Sequence, residues 1–250
     1  AVVGNGQEWS GLPVFRELGK LNYKVFGLLQ RPDSTSTHTK YLNKVYKIRK
    51  DYDELLFKQI MVICKSKKID YLICLDEEIK YLLVKNRKKI GNIKCILPSL
   101  NSYKTSFKKN LSSAFVNKLG IPVPNTIIIR NRKELEKLEF DFNTPAVIKG
   151  IRGWSSLHVR YASTHEELLK YYDEIYSTEK SIKSVDGLPI IQKYYGGPTY
   201  LTQGFAQNGK VKAIVPHVKF REWPLTGGYT TRAKTIEEPK LVEYTTKILE

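Results

Sequence analysis

Lys149 closes a short apolar stretch, Pro145-Ala-Val-Ile-Lys149, and is followed by Gly150, Gly153, Trp154, Ser155 and Ser156. This order predicts a strand that delivers an amine to a loop of small residues. A second apolar stretch, Leu188-Pro-Ile-Ile-Gln192, ends in Lys193-Tyr194-Tyr195 and the pair Gly196-Gly197. A lysine, a loop rich in backbone N–H groups and a polar hinge suit a nucleoside triphosphate. The cation and the amides meet phosphate oxygens, and hinge backbone groups read a base edge. In a chain with 42 lysines and arginines, any one lysine is a surface residue by default. Lys149 departs from that default because it follows an apolar strand and adjoins glycines. Lys109 does so less clearly, since Lys108 is beside it.

Other chemistries find little support. No G-x-x-x-x-G-K-[ST] motif occurs, so a Walker-type phosphate loop is excluded. Gly4-Asn-Gly6 with Gly11 lacks the third glycine of a dinucleotide fingerprint and reads as a tight strand-to-helix turn. His165-Glu166-Glu167 has no second histidine for a zinc motif. The four histidines do not cluster in sequence, and no nucleophile elbow is present. Cys64, Cys74 and Cys95 form no CxxC pair and no even-numbered framework, usage that fits a reducing cytoplasm. Cys74, inside Tyr71-Leu-Ile-Cys-Leu75, reads as a buried small hydrophobe.

The 250 residues can bury a substantial core in more than one domain. Hydrophobic residues make up 41% and mean hydropathy is −0.37, as in ordinary globular proteins. No apolar run reaches membrane-spanning length, which argues against a membrane partner. A net charge of +17 raises the question of a polyanion. The lysines are spread along the chain in short clusters such as Lys65-Ser-Lys67-Lys68 and Arg87-Lys88-Lys89, so a solvated basic surface is favoured over a nucleic-acid footprint.

Strand and helix patterns alternate through the first hundred residues. Strands are predicted at 1–4, 23–29, 45–48, 71–75 and 95–97, and helices at 12–21, 52–65 and 77–86. That alternation implies parallel βαβ units in a doubly wound sheet. One helix is predicted over 101–119, ending at Gly120 before Ile121-Pro-Val-Pro124. Further strands are predicted at 126–129, 146–149, 158–161, 189–193, 199–206 and 211–218. Helices are predicted at 132–138, from a Ser163/Glu166 capping box to about 177, and at 239–250. Gln207-Asn-Gly209 reads as a hairpin turn. The stretch 180–187 reads as a polar linker.

Lys109 lies eleven residues before Gly120, Lys149 forty residues later, and Gln192 forty-three after that. With Lys118-Leu-Gly-Ile-Pro-Val-Pro124, Val-Ile-Lys149-Gly, Ile191-Gln-Lys-Tyr-Tyr-Gly196 and His217-Val-Lys-Phe-Arg-Glu-Trp-Pro-Leu-Thr-Gly-Gly228, the chain resembles the ATP-grasp superfamily. It is similar to the branch of carbamoyl-phosphate synthetase large chains and related carboxylate–amine ligases. The resemblance implies that Lys109 and Lys149 reach the ATP phosphates and that Gly153, Ser155 and Ser156 form the loop closing over them. It implies that Gln192 and the main chain of Lys193 and Tyr194 hold adenine. Gln192 stands where many relatives carry a glutamate. Thr199 stands where a ribose-binding carboxylate is common. His217, Lys219, Arg221 and Arg232 would face the γ-phosphate and the acceptor carboxylate. Taken alone, His217 reads as a strand-end residue and Arg221-Glu222 as a surface ion pair.

The fold expected is α/β: an N-terminal doubly wound (pre-ATP-grasp) domain over 1–100, then a two-lobed ATP-grasp module with its second lobe incomplete. A helical linker and small lobe occupy 101–190, and the start of the large lobe 191–250. The implied function is an ATP- and Mg²⁺-dependent ligase that activates a small carboxylate as an acyl phosphate for attack by an amine. The N-terminal domain would help hold the acceptor. The resemblance places a metal-binding glutamate and an Asn-Pro-Arg type segment beyond Glu250, so the metal ligands are not assigned and the chain reads as a fragment. Alternatives are a non-catalytic nucleotide-binding module and, behind it, a basic nucleic-acid-binding protein. A homo-oligomer is compatible with the sequence.

Overall fold

A computed structural model describes residues 2–4, 8–32, 37–153, 156, 158–180, 187–223, 225 and 227–250, with the side chains of 2–4, 8 and 9 left aside. Trp154 and Ser155, the glycine-turn residues Asn5 and Gly6, and linker residues 181–186 lie outside the described residues. The backbone divides into two compact units, Ala1–Tyr103 and Lys104–Glu250.

The first unit holds strands β1 (Val2–Gly4), β2 (Phe26–Leu29), β3 (Lys44–Lys47), β4 (Tyr71–Cys74) and β5 (Lys94–Cys95). They form one sheet in the order β3-β2-β1-β4-β5, and every pair is parallel. Helices α1 (Glu8–Lys20), α2 (Glu54–Ser66) and α3 (Glu77–Lys85) alternate with them. Strand periodicity sorts the apolar side chains onto two faces. Leu28, Leu72 and Cys74 pack with Leu56, Ile60, Ile79 and Leu83 from α2 and α3. Leu29, Val45 and Ile73 pack with Phe15, Val14 and Leu18 from α1. A sheet covered on both faces is the doubly wound arrangement that the alternating sequence implies. Asp53 and Asp76 fix the starts of α2 and α3, accepting from the Leu56 and Ile79 amides.

The single helix predicted over 101–119 is two: α4 (Leu100–Phe107) and α5 (Lys109–Lys118). Lys108 is extended, with φ −95° and ψ 119°. The Lys109 amide donates to the Ile151 carbonyl at 3.0 Å instead of to the preceding turn. Apolar periodicity cannot show such a break, because the competing acceptor lies far away in sequence.

The second unit carries two antiparallel sheets. Strands β6 (Thr126–Ile128), β7 (Ala146–Lys149), β8 (Val159–Ala162) and β9 (Ile190–Lys193) pair in the order β6-β9-β7-β8. Helix α6 (Arg132–Glu136) is short, and α7 (His165–Lys180) covers one face of this sheet. Ala146, Ile148, Ala162 and Ile191 point into that core with Leu168, Tyr172 and Ile175. The capping interaction of α7 sits one residue later than predicted: Thr164 Oγ1 accepts from the Glu167 amide and Glu167 accepts from the Ser163 amide. Strands β10 (Thr199–Gln207), β11 (Lys210–Trp223) and β12 (Tyr229–Thr235) form the other sheet, with α8 (Pro239–Leu249) against β10 and β11. The predicted turn joins β10 to β11, with Asn208 and Gly209 both at positive φ. β11 runs five residues beyond its predicted end, and β12 was not predicted. Its seven residues are all exposed, so no apolar alternation marks them.

Candidate functional site

The face of the four-stranded sheet turned away from α7 is set by the period of two. One cross-strand row on it is Tyr161, Val147, Gln192 and Thr126, paired in register on four strands. The next row holds Lys149 between Val159 and Ile190. Between this face and the three-stranded sheet lies a cavity of about 680 Å³, within the size range of small-molecule sites. Lys149, Gln192, Lys193, Tyr194, Thr199 and Lys219 line it, and so do Tyr161, Tyr195 and Glu222.

Lys149 enters the cavity from the end of β7. Burial pushes its amine below the ordinary lysine value. Among the described residues no carboxylate pairs with it. A partly desolvated cation without a protein counter-charge is a ready anion ligand.

Gln192 is buried, and its amide nitrogen donates to Thr126 Oγ1 at 2.7 Å. Its oxygen remains to accept from whatever fills the cavity. Lys193 reaches Asp141 at 3.3 Å, so its ammonium turns away to an exposed ion pair. The Tyr194 amide donates to the Pro145 carbonyl at 3.1 Å. That hydrogen bond takes the N–H expected to read a base edge and leaves the carbonyl. The Tyr194 ring meets Tyr161 edge-on, with centroids 5.9 Å apart. Burial raises the Tyr161 hydroxyl, which Tyr194 and Glu222 push further in the same direction.

Across the cavity Thr199 pairs with Lys219 in register. The Lys219 amine lies 2.6 Å from Glu222 and 3.2 Å from the Gly228 carbonyl. Glu222 also accepts from the Gly227 amide at 2.7 Å. Lys219 and then the Gly227 amide hold its carboxyl below the usual range. The sequence pairs Glu222 with its neighbour Arg221; the fold pairs it with Lys219 instead.

The loop after Lys149 is tied at several points. Lys109 Nζ donates to the Gly153 carbonyl at 3.2 Å, so the first expected phosphate lysine meets the loop and is not among the cavity-lining residues. Glu179, 1% exposed at the end of α7, accepts from the amides of Ile151 and Arg152. Its Oε1 lies 3.6 Å from His158 Nδ1. Ser156, at φ 59°, donates to the Gly227 carbonyl at 2.6 Å and bridges the loop to the β11–β12 turn. Ser155 lies outside the described residues.

His217, Arg221 and Arg232 do not line the cavity. His217 Nδ1 is buried without a hydrogen-bond partner among the described residues. Arg221 and Arg232 face each other across β11 and β12, both exposed, with Arg232 5.7 Å from the Phe220 ring centroid. Like charges opposite one another on a sheet repel unless an anion joins them. Thr126, Tyr161, Glu179 and Tyr195 were not singled out from sequence. Thr126, Tyr161 and Glu179 make cross-strand or helix-to-loop contacts that linear spacing does not reveal, and Tyr195 only lines the cavity.

The described residues do not by themselves form a magnesium cage. No group of three or more His, Cys, Asp or Glu side chains clusters among them. Both oxygens of Glu222, the carboxylate that lines the cavity, are already engaged. Among the described residues no helix is long and apolar enough to cross a membrane.

No protein-family profile matches the chain, and no curated protein matches it by sequence. Solved structures do match its backbone. The biotin carboxylase domain of the Hydrogenobacter thermophilus 2-oxoglutarate carboxylase, solved with MgADP, ADP and bicarbonate, superposes with a TM-score of 0.73 at 16% identity. That match covers 99% of this chain and 57% of that one. The Bacillus licheniformis L-amino acid ligase gives 0.73 at 13% identity, covering 99% and 60%. The N5-carboxyaminoimidazole ribonucleotide synthetase of Thermotoga maritima gives 0.60 at 18%, covering 99% and 59%. The chain thus spans less than two thirds of the length of each. The common architecture, matched from the first strand to the last helix, is the ATP-grasp fold, and this chain has it.

Proposed function

We propose that the chain binds ATP in the cavity between its two antiparallel sheets and belongs to a ligase that activates a carboxylate. The single observation that carries this reading is the convergence of a desolvated Lys149, the buried amide of Gln192 and Lys219 on one hollow. In it, Lys149 meets the phosphates, and Gly153 and Ser156 shape the loop over them with Lys109 bracing that loop. Gln192, the Lys193 main chain and the Tyr194 carbonyl take the base, while Thr199 stands near the sugar. Lys219 lies toward the acceptor side, with His217, Arg221 and Arg232 beyond it. A carboxylate oxygen attacks the γ-phosphorus, the bond to the bridging oxygen breaks, and ADP leaves with that electron pair. An amine then displaces phosphate from the acyl phosphate. The chain's own contribution is positioning and charge neutralisation.

Structures of the same fold hold MgADP or a β,γ-ATP analogue. Magnesium would neutralise phosphate charge in such a site; the described residues hold no cluster for it, and the resemblance places its glutamate ligand beyond Glu250. The domain reading proposed is a pre-ATP-grasp domain over 1–100, a helical linker and small lobe over 101–190, and the start of a large lobe over 191–250, with the last boundary moved past β9 because that strand pairs with β6 and β7. A cytoplasmic setting, a small carboxylate substrate and kinship with carbamoyl-phosphate synthetases belong to the same proposal. The alternative reading of the same cavity is nucleotide binding without catalysis.

Both readings require binding. ATP with Mg²⁺ at one hundred times its Kd should raise stability by about 2.7 kcal/mol. Thermal unfolding of wild type and Lys149→Ala with and without ATP measures this. The wild type should gain in melting temperature and the variant should not. An equal response in both, or none in either, counts against the site.

A further inference from the structure

Thr126 of β6 sits directly opposite Gln192 of β9, and its hydroxyl has a single proton. That proton is donated to the Pro124 carbonyl at 2.9 Å. Thr126 Oγ1 can therefore only accept from Gln192, whose amide approaches to 2.7 Å. The two ends of a glutamine amide are otherwise nearly interchangeable. Here the proton count decides between them: nitrogen faces Thr126, and oxygen faces the cavity. Among the described residues no donor reaches that oxygen. At the cavity wall that oxygen accepts from water, and a ligand that displaces the water must supply a donor in its place.

Resting on the ATP-site reading above, we infer that Thr126 sets the base specificity of the site, by locking the Gln192 amide so that its oxygen selects a purine with a 6-amino group over one with a 6-oxo group. Pro124 supplies the fixed acceptor that turns the hydroxyl. A glutamate in place of Gln192 presents two equivalent oxygens and needs no such lock, so the relay goes with the glutamine. Thr126 is a positioning residue that acts through Gln192. Released from it, the amide can turn, offer its nitrogen to a 6-oxo group and lose discrimination.

The test compares ATP and inosine triphosphate, which differ at the 6-position of the base. Dissociation constants are measured by competition against a fluorescent ATP analogue, for wild type, Thr126→Val, Thr126→Ser, Gln192→Glu and the double variant Thr126→Val/Gln192→Glu. Unfolding of each variant without nucleotide checks that it folds. Wild type and Thr126→Ser should prefer ATP, and Thr126→Val should lower that preference by about tenfold, the scale of one hydrogen bond. In the Gln192→Glu background, Thr126→Val should leave the preference unchanged. A purely structural role for Thr126 would weaken both nucleotides alike in both backgrounds. An unchanged ATP-to-ITP ratio in Thr126→Val, or the same fall in both backgrounds, overturns the inference while the site stands. Failure of the wild type to bind either nucleotide overturns the site and the inference with it.

Discussion

Lys149, the proposed phosphate ligand, carries a cost to the fold that holds it. Burial lowers its pKa below the ordinary 10.5. At neutral pH the folded chain therefore carries a partly desolvated charge that the unfolded chain hydrates freely. As pH rises from the depressed value toward the ordinary one, the folded state releases a proton from Lys149 that the unfolded state keeps, and the cost of burying this charge falls away. On the proposed reading, a phosphate bound beside the amine would reverse the shift and hold the proton on. Lys149→Met keeps the volume and removes the charge. It should raise the melting temperature of the nucleotide-free protein at neutral pH by roughly 2–4 °C, the equivalent of about 1 kcal/mol in a chain this long, and its lead over the wild type should shrink as pH rises toward 10.5. Thermal scans across pH 7–11 check it; a lower melting temperature at neutral pH would show that the amine is stabilised where it lies. Lys149 was legible in the sequence because an apolar strand and a glycine loop flank it. Thr126 was not, because its significance comes from a proton donated to Pro124 and from a partner on another strand.

Among elements, the loop after β7 is organised by its surroundings. Glu179 accepts two of its amides, and the Lys109 amine binds its Gly153 carbonyl. A Cβ on Gly150 would lie 2.4 Å from Glu179 Oε1 and 2.8 Å from His158 Cβ, so the glycine is required by close approach. Glu179→Ala strands two buried N–H groups and should cost about 2–5 kcal/mol, with Glu179→Gln recovering part through its one carbonyl oxygen. Denaturant unfolding measures this, and a loss under about 0.5 kcal/mol in the alanine variant, as for an ordinary surface site, would show that Glu179 does not anchor the loop. The sequence showed the loop by its glycines but gave no sign of its anchor. Glu179 sits among the polar residues closing α7, where a carboxylate ordinarily meets solvent. The break between α4 and α5 was hidden for the same reason, since the carbonyl of Ile151 decides it.

Across the whole chain, periodicity revealed what is packed and missed what is not. The parallel unit and the four-stranded sheet bury their apolar residues and were read with ends within a few positions. Among the described residues, none of the buried hydrophobic side chains lies beyond Ile191. Tyr200, Phe205, Phe220, Trp223 and Tyr229 are all more than two fifths exposed. There β12 went unseen and β11 was read short, because burial patterns are what sequence periodicity records. The cavity has the four-stranded sheet on one side and the three-stranded sheet on the other. Photolabelling with 8-azido-ATP, followed by peptide mapping, tests that arrangement most directly. The modified peptides should fall within 145–161 or 190–199, and excess ATP should suppress the labelling. Modification concentrated in the Ala1–Tyr103 unit, or labelling that ATP does not compete away, would contradict it.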